Sequence, residues 1–241
     1  MKALFQAHPV TWPRTAWITL ALSGLLAPAV ALVFLAGSNT PLSTLASPIL
    51  AVGLMGAGMI GAAVVGRLGV GLLFAFAAGG ALVLLALALG MSGLMHPLSV
   101  AFVVGVASLS FSARGALFAL SALDKGWFIA VFVVFGEAAM LTTAIAMPGA
   151  LPDWLLVLLP AQWATMALNS ALVGTGALAT WSALIALAGT AAATLVVARL
   201  WPARWPYLIM FSTWLALSAV VWHYPAPTAH HLGAKVEAAA S

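Results

Sequence analysis

Arg114 and Glu137 are ionisable residues set in runs of sequence that otherwise read as membrane-spanning. They flank the turn "SALDKG" in the stretch "SLSFSARGALFALSALDKGWFIAVFVVFGEAAMLTTA", Ser108 to Ala144. The chain has only eight Lys/Arg and four Asp/Glu, so their position is informative. At 1.5 Å per residue, Glu137 lies about 16 Å from that turn and Arg114 about 12 Å. A lone charge at the bilayer centre costs about 2.5–3.5 kcal/mol on insertion scales. An antiparallel hairpin brings the two side chains to similar depth. The expectation is therefore a buried, charge-assisted contact between them. Such a pair can bind a solute or relay a proton, or it can simply hold two helices together.

Other polar residues recur at helical spacing. Gln162, Thr165 and Asn169 are three and four residues apart, which puts them on one face. Ser108 and Ser112, and likewise Ser110 and Arg114, stand at i,i+4. Lipid does not solvate these stripes, so they are expected to face the bundle interior. With Glu137 and Thr142 they can line a polar pathway, and interhelical hydrogen bonding is the equal alternative.

Met55 and Met59, then Met91 and Met95 beside His96, place thioethers four residues apart. Thioether with imidazole suits Cu(I), but methionine is also an ordinary filler of apolar helices, and no metal is expected. The histidines are His8, His96, His223, His230 and His231. None is mid-span, which argues against paired haem ligands. No lysine lies mid-span to carry a retinal Schiff base. HExxH, a P-loop and GxSxG with a plausible triad are absent. Without cysteine there is no disulfide or thiolate chemistry. No cofactor is implied, and no enzyme class has positive support.

The elements that must position these residues follow from composition. A 65% hydrophobic share, 5% charged residues and a mean hydropathy of +1.19 lie far from soluble-domain usage. Backbone groups in lipid must be paired internally, so helices or a closed barrel are the only spanning options. Runs such as "GLLFAFAAGGALVLLALALG" do not alternate as barrel strands do. The fold class is all-α, a polytopic transmembrane bundle of seven or eight helices.

Spans are read at Thr15 to Leu35, Leu45 to Val65, Leu68 to Leu89, Leu98 to Leu120, Trp127 to Met147, Trp154 to Val173, Ala177 to Ala198 and Trp205 to Trp222. Residues 1–14 form an N-terminal segment, 15–222 the bundle, and 223–241 a polar tail expected to be poorly ordered. The first apolar run is longer than a signal-peptide core and is read as a retained span. Tryptophans at span ends form an interfacial belt, with Trp163, Trp181 and Trp214 read as further inside.

Lys2, Arg14, Arg67 and Lys125 share one side if the N-terminus is cytoplasmic. Trp154 to Val173 is the difficult segment. Its length and the tight "GTG" turn favour a full span, giving eight helices and leaving Arg199 and Arg204 outside. A re-entrant segment gives seven and returns those arginines inside. A weak hairpin repeat aligns "SPILAVGLMG" with "HPLSVAFVVG", and "RLGVGLLFAFAAGG" with "DKGWFIAVFVVFGE". Composition alone explains it as well.

These readings give a small transporter or channel centred on Glu137 and Arg114, possible proton coupling included. The alternative is a non-catalytic membrane subunit or assembly factor. A lipid-acting intramembrane enzyme is a third reading, resting only on Glu137 as acid or base. Expected partners are the lipid bilayer and a membrane protein or second copy of the chain, packed through glycine-rich faces such as "GLMGAGMIGAAVVG". No basic cluster suggests nucleic acid. The expected location is a bacterial inner membrane.

Overall fold

The computed structural model describes residues 14–37, 42–91, 94, 96–173, 180–201 and 205–224. The described residues are mostly helical, with no strand among them. Helix α1 (Arg14–Ala36) carries a π turn at Leu22–Leu26. Helix α2 runs from Leu42–Met55 through a π turn at Gly56–Ile60 to Gly61–Val65. Then come α3 (Leu68–Ala88), α4 (Pro97–Ala122) and α5 (Gly126–Ala146). A short α6 (Asp153–Val157) precedes α7 (Pro160–Val173), α8 (Trp181–Arg199) and α9 (Trp205–His223).

Seven of the helices among the described residues are long and apolar enough to cross a membrane. The chain is thus an integral membrane protein by its helices. In α1, α3, α5 and α9 only a minority of residues are buried, whereas α2, α4 and α8 are mostly buried. Exposed side chains such as Phe34, Leu84, Phe132 and Leu208 are apolar, the pattern of a bundle whose solvent is hydrocarbon.

The segment 154–173 does not form an eighth span. It breaks at Leu158 and Leu159, and α7, with 14 residues, is about 21 Å long at 1.5 Å per residue, short of a roughly 30 Å hydrocarbon core. Its direction follows from contacts. Ala161, at its start, bonds Glu137 in the middle of α5, while Asn169, near its end, accepts from Ser47 near the start of α2 at 3.3 Å. The start of α2 and the end of α5 lie on the same face of the bundle, because successive antiparallel helices alternate. The chain therefore enters and leaves α6–α7 on one face. Leu117 and Leu120 near the end of α4 pack with Val197 and Ala198 near the end of α8. Those two helices are parallel, so Arg199 shares a face with Lys125, Arg67 and Arg14. The re-entrant alternative holds and the eight-span expectation is corrected. The cause is local: Pro160 has no N–H and sits where a new helix can start, not where an old one can continue. Lys2 and Arg204 lie outside the described residues.

The two π turns meet. A Cβ on Gly24 would lie 2.9 Å from Ala57 Cα, and one on Gly56 would lie 2.7 Å from the Ser23 carbonyl oxygen. Only glycine permits this approach, and the small-residue spacing of α2 is used for it. The glycine face at Gly53–Gly61 is covered by the chain's own helices, so it is not available to a second copy. The repeat's two prolines occupy different places, Pro48 inside α2 and Pro97 at the start of α4.

Candidate functional site

The break between α6 and α7 leaves backbone groups exposed at membrane depth, where each must find a partner. Two side chains supply them. The fully buried Trp163 donates its indole Nε1–H to the Val157 carbonyl at 2.7 Å, closing the end of α6. Glu137 Oε2 accepts from the Ala161 N–H at 2.9 Å, capping the start of α7. A carboxylate at a helix N-terminus also meets the positive end of the helix dipole. Glu137 is only 7% exposed, so this cap is buried within the bundle.

Arg114 turns to a different element. Its guanidinium donates to Thr190 Oγ1 on α8 at 3.4 Å and lies 5.8 Å from the centre of the Phe111 ring. Thr190 Oγ1 is within hydrogen-bond distance of the Ala186 and Leu187 carbonyls, at 2.8 and 3.0 Å, where its one proton goes. It therefore acts as acceptor for Arg114 and for Ser110, whose Oγ is 3.3 Å away. Thr194 donates to the Thr190 carbonyl one turn on, at 2.7 Å.

The expected direct contact between Arg114 and Glu137 is not formed. Among the described residues no hydrogen bond or ion pair within 4 Å joins them. The physical reason is competition: a helix start and a threonine cluster each offer a closer partner. Both side chains instead line one cavity of about 470 Å³, together with Thr190, Thr194, Pro160 and Trp214. The rest of its wall is apolar, from residues such as Leu117, Val133, Leu158 and Phe211.

The other polar residues are placed elsewhere. Gln162 and Thr165 are half-buried and do not line this cavity; Thr165 bonds its own helix at the Ala161 carbonyl, 2.9 Å away. Asn169 is exposed and bonds Ser47. Ser108 and Ser112 are buried, and among the described residues their hydroxyls have no hydrogen-bond partner; Ser112 stands beside Gly58 in the π turn of α2. Thr142 belongs to a second, apolar cavity of about 450 Å³ between α1, α2 and α5, and donates to the Ala138 carbonyl at 2.8 Å.

Met91 is buried in the core, His96 is exposed, and Met95 lies outside the described residues. Met55 and Met59 are fully buried. Among the described residues no three His, Cys, Asp or Glu converge as metal ligands. Trp181 is 43% exposed and stacks near Tyr224 at a helix end, so it belongs to the belt and not to the interior.

Sequence reasoning missed Thr190, Thr194, the Ala161 N–H and the indole of Trp163. Two signals were present: the i,i+4 threonines of α8, and a proline in the middle of an apolar run. The chain matches no protein-family model, no curated protein and no solved structure.

Proposed function

We propose that this chain is a small transporter or channel whose working site is the cavity at Glu137 and Arg114. The observation that carries this reading is the meeting of an interrupted helix, a carboxylate and a guanidinium at one mid-bundle cavity. Discontinuous helices with their half-helix ends at a central site are a recurrent transporter device. Glu137 is the proton-carrying group in this reading and Arg114 fixes the charge beside it. The face bearing Arg14, Arg67, Lys125 and Arg199 is assigned to the cytoplasm, as basic loops are, in a bacterial inner membrane.

The test is proton flux in proteoliposomes containing a pH-sensitive dye. The wild-type chain dissipates an imposed pH gradient, and Glu137→Gln, which keeps a hydrogen-bond acceptor for Ala161, does not. Equal flux in the variant rejects the relay. A stable co-purifying membrane protein with no flux in either chain favours the subunit reading instead.

A further inference from the structure

The cavity that holds Glu137 and Arg114 opens through the side wall of the bundle. Phe211 lines it and is 54% exposed, and α9, which contributes Met210, Phe211 and Trp214, is the least buried of the seven spans. From the other edge Leu155 of α6 and Leu158 after it complete the rim. A mouth framed by these residues at mid-helix faces hydrocarbon, so what enters it comes from the bilayer.

Hydrogen-bonding capacity inside the cavity is incompletely used. A guanidinium has five N–H donors and a carboxylate about four acceptor sites. Among the described residues, Arg114 has one hydrogen bond, to Thr190, and Glu137 has one, from Ala161. The two groups are also not in contact with each other. A ligand head that accepts from Arg114 and donates to Glu137 completes both.

Charge limits that head further. The cavity's formal charges cancel, one guanidinium against one carboxylate. Any net charge brought into this apolar surrounding is unpaired and costly, whereas an uncharged group is not. The apolar remainder of the wall takes the body of the ligand through burial alone.

We propose that the cavity binds an uncharged amphiphile that enters from the bilayer, its head a hydroxyl or similar group that both donates and accepts hydrogen bonds. This deepens the transport reading and rests on it for the role of the site.

The test uses the full chain in lipid nanodiscs and a dodecanol carrying a photoreactive diazirine. Irradiation is expected to place adducts on Leu155–Pro160 and Met210–Trp214. Unlabelled dodecanol should suppress them. Dodecane, dodecyltrimethylammonium and dodecanesulfonate should compete about tenfold to a hundredfold less well, the effect of losing a charge-assisted hydrogen bond or adding an unpaired charge. In Arg114→Gln the advantage of dodecanol over dodecane should shrink. The wild-type competition series decides the matter even where that variant does not fold. Equal competition by dodecane, better competition by either ion, or adducts elsewhere on the chain each overturn the proposal. Proton flux with no adduct in the cavity removes the ligand class and leaves the transport reading. Selective dodecanol labelling without flux removes transport and leaves the binding site.

Discussion

The carboxylate of Glu137 and the backbone N–H of Ala161 are 2.9 Å apart, and this bond joins the middle of one spanning helix to the start of a helix that does not span. Removing the acceptor leaves a buried donor without a partner, which costs about 1–3 kcal/mol. Glu137→Leu is therefore expected to lower thermal stability in mild detergent by that amount or more. Glu137→Gln keeps a carbonyl oxygen at the site and should cost less than about 1 kcal/mol. Equal losses for the two variants argue against the cap.

Arg114 and Glu137 share a cavity without touching, so their coupling is electrostatic and not a contact. Removing one charge leaves the other buried and uncompensated. Arg114→Leu should thus cost less in a Glu137→Leu background than in the wild type. A double-mutant cycle on unfolding should give a coupling of about 0.5–2 kcal/mol. Zero coupling rejects the through-space interaction.

Trp163→Phe removes the donor that closes the Val157 carbonyl while keeping an aromatic ring in the core. The expected loss is about 1–3 kcal/mol. Trp181→Phe, at an exposed helix end, should change unfolding by about 0.5 kcal/mol or less.

Re-entrance makes a topological prediction. Because the chain lacks cysteine, single cysteines can be introduced without background. Lys125→Cys and Trp201→Cys should be labelled by an impermeant maleimide from one side of the membrane only. Met147→Cys and Tyr224→Cys should be labelled from the other. Labelling of Tyr224→Cys on the Lys125 side means that residues 154–173 cross completely.

The contact between the two π turns makes another. Gly56→Ala places a methyl against the Ser23 carbonyl and should reduce the folded yield. Gly80→Ala meets nothing within 4 Å and should be tolerated, as monodisperse elution in size exclusion will show.

Much of this architecture was legible in the sequence, and the reasons are physical. Hydropathy reports span positions directly, because lipid tolerates little besides long apolar helices. Glu137 and Arg114 stood out because ionisable residues are rare at that depth. What the sequence concealed was partner choice. Hydropathy registers the apolar side chains of Leu158, Leu159 and Pro160 but not that the backbone stops being helical there. Backbone groups have no letter in a sequence, so the Ala161 N–H could not be seen to compete with Arg114 for Glu137. Spacing placed Gln162, Thr165 and Asn169 on one face of α7 correctly, but it does not say which neighbour that face meets. Asn169 meets Ser47, not the cavity.

The cap at Glu137 also bears on how the chain is made. Synthesis proceeds from the N-terminus, so α5, with its carboxylate, leaves the ribosome before Pro160 does. An interrupted helix has no stable place among lipids alone, because its open backbone groups need partners. Here the acceptor for its first free N–H is already in the membrane when the segment emerges. Packing against α8 then follows as the next helix arrives. The order of residues along the chain is thus also a workable order of assembly, with the partner in place before the group that needs it.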